Sequence, residues 1–139
     1  MKTYVLDTSA LLAYIENEAG VDQVETLLLE ALDEGVTLMV SVVSLIEVFY
    51  ISLREQGETI ARARLQLLKA LPITIEEVSI KEIEAIGTLK SMHKVSFADS
   101  CIASLAMERR AVLVHKDPEF NAIAQLAQLK LPFKPKKGK

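Results

Sequence analysis

The chain has 139 residues, one cysteine, a formal net charge of -3 and a pI near 5.4, which fits one domain with a real core and excludes a protein that coats nucleic acid by bulk positive charge. Half its residues are hydrophobic and a quarter charged, far from a disordered composition. The lone Cys101 has no internal disulfide partner, so a reducing cytoplasm is the expected compartment.

In chain order, residues 2–6 read as a strand, since Tyr4, Val5 and Leu6 form an uninterrupted apolar run. Asp7 ends that run too early for the apolar core of an export signal. A helix is expected over residues 8–16, and a second over 21–34, entered at Gly20, striped by Val24, Leu27, Leu28 and Leu32 and stopped by Gly35. Residues 37–40 make the second strand. A third helix covers 41–55 and a fourth 58–71, closed by Pro72. The apolar stretch 36–53 approaches membrane-spanning length but carries Glu47 near its middle, which argues against a span.

Residues 73–78 read as a short strand, 79–92 as the fifth helix, 97–109 as the sixth and 111–115 as a buried strand. A short helix over 118–126 and a strand over 129–133 complete the pattern. Strands alternating with helices predict a mainly parallel sheet of about five strands with helices on both faces, in one domain over residues 1–133. The basic run 134–139 reads as a flexible tail.

In such a sheet, ligands bind beyond the carboxyl ends of the strands. Asp7 and Asp117 each end a strand and precede a helix, so each also suits a helix cap. Asp99 completes Ser-x-x-Asp from Ser96, the pattern of a capping box, yet its helical neighbours Ile102, Ala103 and Ala106 point it inward. Glu47 has Val43, Ser44, Tyr50 and Ile51 three and four positions away, none of them a cation; it either lies buried with a raised pKa or reaches water at the edge of its face. All four acids have places from which they can face one crevice. Carboxylates so crowded repel, and the natural remedy is Mg2+ or Mn2+.

The segments "VLDTSALL", "SLIEVFY", "SFADSCIASLA" and "LVHKDPEF" resemble, in order and over nearly the whole chain, the acidic motifs of the PIN domain, and within it of VapC-like toxin ribonucleases. The resemblance implies a three-layer α/β/α sandwich with an acidic pocket at the carboxyl end of its sheet. It implies a metal-dependent ribonuclease with Asp7 and Asp99 as direct ligands of Mg2+ or Mn2+, and Asp117 and Glu47 completing the site directly or through water. Thr8 and Ser9 match the hydroxyl pair that orients the first turn. His115 departs from the Thr or Ser usual two residues before the last aspartate; it either bonds a metal water or substrate phosphate, or caps the strand end. In-line attack by an activated water on RNA would leave a 5′-phosphate and a 3′-hydroxyl. A VapB-like antitoxin and a homodimer are the implied partners, with exposed apolar residues near Leu27 and Phe49 as candidate contacts. Lys90, His93, Lys94 and Lys116 lie near the motifs and are candidates to guide RNA, or simply solvated surface.

Other readings fit less well. "DTSAL" lacks the second acid two positions after Asp7 that an aspartyl-phosphate phosphatase would use, and no adjacent acid pair of the phospho-receiver kind ends the first strand. Cys101 sits mid-helix among apolar residues, and the five dispersed glycines build no phosphate-binding loop. A PIN nuclease in RNA processing, without a toxin role, and a non-catalytic interaction module are the alternatives that remain.

Overall fold

The structure is a computed structural model and describes residues 1–133; the basic tail, 134–139, lies outside the described residues. Five parallel strands, β1 (Lys2–Leu6), β2 (Val36–Ser41), β3 (Thr74–Glu76), β4 (Val112–His115) and β5 (Gln128–Lys130), form one sheet in the order β3-β2-β1-β4-β5. Six α-helices join them: α1 (Thr8–Ile15), α2 (Val21–Leu32), α3 (Val42–Gln56), α4 (Glu58–Lys69), α5 (Ile83–Met92) and α6 (Phe97–Glu108).

The period-2 geometry of a strand sends neighbouring side chains to opposite faces, and the core divides accordingly. Tyr4 and Leu6 of β1 join Leu38, Val40 and Val114 in a cluster sealed by Leu11, Val24, Leu45 and Leu68 from α1 to α4. Val5 and Leu113 join the opposite cluster, where Leu89 of α5 and Ile102 and Leu105 of α6 cover them. This is the three-layer α/β/α arrangement. Val5 and Leu6 are wholly buried, as a central strand covered on both faces requires.

Several ends differ from expectation. The left-handed residue closing α2 is Glu34 (φ 59°), not Gly35. The N–H of Gly35 donates to the Glu30 carbonyl at 2.8 Å and that of Glu34 to Ala31 at 3.0 Å, the paired bonds of a Schellman ending. The expected helix over 79–92 begins with a 3₁₀ turn (Ile80–Glu82) held by a capping box between Ser79 and Glu82. The expected last helix is a 3₁₀ turn (Pro118–Ala122), and the last strand stops at Lys130. Gly20 is left-handed (φ 99°), and a Cβ added there would lie 3.0 Å from the Leu131 Cβ. It therefore admits both the turn and the close approach of the chain after β5. Leu27 is buried in the core and Phe49 is half-buried; around them Leu29, Leu32, Ile46, Tyr50 and Leu53 are the exposed apolar residues. Among the described residues no helix is long and apolar enough to cross a membrane.

Candidate metal centre

The chain leaves β1 toward β2 on one side, while β4 pairs on the other, so the carboxyl ends of β1 and β4 flank a topological switch point where the sheet opens a crevice. Asp7 immediately follows β1. Its Oδ1 accepts the Ala10 N–H at 2.9 Å, capping α1, and the Ser9 hydroxyl spans both carboxylate oxygens at 2.7 and 2.9 Å. Ser9 in turn accepts the Lys116 backbone N–H at 2.9 Å, which ties the turn after β1 to the turn after β4. Capping and facing the crevice are thus one geometry. Burial pushes the Asp7 carboxyl up to about 7; the bonds from Ala10 and Ser9 oppose this, and the nearby Asp117 and Glu47 add to it.

α3 begins directly after β2 and carries Glu47 over the same crevice, half-buried. Its partner is a hydroxyl. Thr8 Oγ1 donates to Glu47 Oε1 at 2.5 Å. This contact accounts for an acid on an apolar face without a helical cation nearby.

α6 runs back from the carboxyl edge, so its first turn opens there. Ser96 caps it, accepting the Asp99 N–H at 3.0 Å. The reciprocal half of the expected capping box belongs to another residue: the Ser96 N–H donates to Glu119 Oε1 at 3.2 Å. The Asp99 carboxyl is therefore released from capping and turns into the crevice, 7% exposed. Burial, with Glu119 and Asp117 alongside, pushes it up to about 9. Glu119 moves down, because it accepts a bond from Asp99 and one from the Ser96 N–H, with Lys90 contributing positive charge.

Asp117 follows β4. Its Oδ1 accepts the Glu119 N–H at 2.9 Å and caps the 3₁₀ turn, while its own N–H donates to His115 Nδ1 at 3.0 Å. His115 is buried, with Nε2 at 2.8 Å from Gln128 Oε1 and its ring 4.8 Å from that of Phe120. Because Nδ1 is an acceptor, Nε2 carries the proton and donates to Gln128. Burial pushes the imidazole down and keeps it neutral. Both nitrogens are engaged by protein, so His115 caps the strand end and orients Asp117 rather than reaching into the crevice.

All four acids singled out by sequence meet here. Together with Glu119, Thr8, Ser9, Ser96 and Leu12 they line a cleft of about 330 Å³. One oxygen from each of Asp99, Asp117 and Glu119 lies within 4.8 Å of the others. Glu119 is the participant that sequence reading missed; its one signal was the Asp-Pro-Glu spacing, which places it two residues beyond Asp117 in the same turn. The candidate guide Lys116 points elsewhere: its Nζ donates to the Ala19 carbonyl at 2.9 Å and lies 3.6 Å from Glu18 Oε1. His93 lines a separate cavity between α5 and α6, and Lys90 and Lys94 are exposed.

Among the described residues no lysine, arginine or histidine lines the cleft. Buried carboxylates without a cation are driven toward protonation: burial first, and the neighbouring acids after it, raise Asp7 and Asp99. The donors are all hard oxygens. That set fits an incompletely liganded Mg2+ or Mn2+, with Asp99, Asp117 and Glu119 on one side and Asp7 and Glu47 completing the wall.

Comparison with known proteins bears on the fold. The fold is similar to VapBC2 from Rickettsia felis bound to a DNA fragment from their promoter, with a TM-score of 0.77 and 21% identity over 94% of this chain and 99% of that one. It is similar to DNA-bound VapBC from Salmonella typhimurium, with a TM-score of 0.76 and 18% identity over 94% and 98%. VapC20 from Mycobacterium tuberculosis, described as a sarcin-ricin loop cleaving toxin, gives a TM-score of 0.72 and 17% identity over 93% and 99%. No curated protein matches the chain in sequence. The family model described as PIN domain matches residues 4–126, a span that holds every carboxylate of the cleft, and the chain belongs to the PIN domain family.

Proposed function

We propose that the chain is a Mg2+- or Mn2+-dependent ribonuclease and the toxin of a VapBC-type pair, held in check by a VapB-like antitoxin and acting as a homodimer. The observation that carries the proposal is the cleft itself, in which five carboxylates face one another without a basic side chain among the described residues. Family membership supports hydrolysis of nucleic acid. The toxin and antitoxin assignment is supported by the VapBC assemblies among the fold neighbours, and RNA as substrate by the toxin described as cleaving the sarcin-ricin loop.

In this reading Asp7, Asp99, Asp117 and Glu119 hold the ion, which when bound supplies positive charge to the phosphate and acidifies an attacking water. Ser9 and the Ala10 N–H keep the Asp7 carboxylate from rotating. His115 fixes the peptide of Asp117 through a neutral nitrogen that needs no ion. Thr8 occupies one oxygen of Glu47, leaving the other to orient water for in-line attack. The new P–O bond forms as the bond to the 3′-oxygen breaks, and that oxygen leaves as a hydroxyl after taking up a proton.

The test compares wild type with Asp7→Asn and Asp99→Asn on a mixed RNA pool with Mg2+ or Mn2+. Cleavage by wild type alone, abolished by chelation, is expected. Equal cleavage by all three, or cleavage that survives exhaustive chelation, overturns the assignment. Growth arrest on expression, relieved by a VapB-like partner gene, separates a toxin from an RNA-processing nuclease.

A further inference from the structure

A second groove, of about 400 Å³, lies along α5 and ends at the first residue of α6. Val78, Ile83, Ile86 and Phe97 give it apolar walls, and Lys90 lines it as its cation. Phe97 is 66% exposed, a large aromatic left in water where folding alone does not require it. It directly follows Ser96, which lines the acidic cleft, and shares a helical turn with Asp99. Gly87 also lines the groove, and a Cβ added there meets nothing within 4 Å. The floor is therefore open, at the cost of a glycine inside a helix, about 1 kcal/mol relative to alanine.

We infer that this groove seats one unpaired nucleobase of the RNA substrate, stacked on Phe97, with the adjoining phosphate drawn to Lys90 and the scissile phosphate carried into the acidic cleft. The inference rests on the nuclease reading above and adds to it the subsite that sets the strand. A nucleotide flanking the cut offers a flat apolar ring and an anionic linkage, and the groove presents a matching aromatic face and ammonium in continuity with the acids. Stacking of this kind tolerates any base. It requires the base to be unpaired, so the groove selects single-stranded or looped RNA over duplex.

The chain contains no tryptophan, so Phe97→Trp creates a single fluorescent reporter at the stacking position. With Ca2+ as the cation, its emission should be quenched by a mixed-sequence single-stranded RNA 12-mer and left unchanged by an abasic 12-mer with the same backbone. In cleavage assays Phe97→Ala should raise KM by about tenfold with kcat within about twofold of wild type, and Phe97→Trp should restore KM. Gly87→Leu, which favours the helix while filling the groove, should raise KM comparably without lowering Tm.

A Trp signal unmoved by RNA, together with an unchanged KM in Phe97→Ala and Gly87→Leu, overturns the inference while leaving the nuclease reading intact. A change in sedimenting mass in Phe97→Ala also overturns it, because the groove is then a protein interface. Quenching of the Phe97→Trp reporter by RNA, when neither that variant nor wild type cleaves RNA with Mg2+ or Mn2+, sustains the subsite and refutes the nuclease.

Discussion

Replacing Asp7 by Asn should make the metal-free protein more stable while destroying its proposed activity. The carboxyl titrates at 3.8 when unfolded and about 7 when buried beside Asp117 and Glu47. Between those values the folded state binds more protons than the unfolded, so the wild type has its full stability below pH 3.8 and loses it as pH rises through 7. At pH 7.5 the loss is about 4 kcal/mol and at pH 5 about 2 kcal/mol. Asn keeps the acceptor for the Ala10 N–H but alters the bond to Ser9, a cost of about 1 kcal/mol. The net gain of about 3 kcal/mol corresponds to roughly 10 °C in Tm for a domain of this size. Thermal melts in EDTA from pH 4 to 8 should show the two proteins converging at the acid end and separating toward pH 7. A variant no more stable than wild type at pH 7.5 would refute the buried, raised carboxyl of Asp7 from which the prediction starts.

Mn2+ should narrow that gap: millimolar ion should raise the wild-type Tm by several degrees and leave Asp7→Asn and Asp99→Asn nearly unmoved, since only an intact folded site binds it. Gly20→Ala should cost about 2 kcal/mol in urea melts, because its φ of 99° and the Leu131 Cβ both oppose a side chain. Glu34→Gly should instead stabilise by about 0.5–1 kcal/mol, since φ 59° is strained for glutamate and easy for glycine; a loss of stability would count against the Schellman ending.

What was legible in the sequence was what local pattern determines. The run Tyr4, Val5, Leu6 declared a strand, and its break at Asp7 offered either a helix cap or a site residue, a choice that Asp7 alone left open. The sequence order of the four acids carried the rest. What escaped depended on contacts between distant segments. Glu119, exposed at the rim of the cleft, gave no local sign that its carboxylate would accept the Ser96 N–H across 23 positions of sequence. Glu47 lacked a visible partner because Thr8 is 39 residues away. Lys116 looked available to substrate because nothing local reveals that the turn at Ala19 captures its ammonium. The stop at Gly35 was misplaced by one residue since glycine is the usual left-handed residue, and here Glu34 accepts that strain.

The strand order also bears on synthesis. β1 leaves the ribosome before the other four strands of its sheet, yet one of its edges stays bare until β4 arrives at Val112–His115. A nascent chain that has emitted only β1 to β3 offers that unpaired edge to any neighbour, which favours aggregation or chaperone capture. It also holds Asp7 and Glu47 without the residues that close the cleft. The cleft is thus complete only once the chain has been made past Glu119, and products that stop before it should be inert.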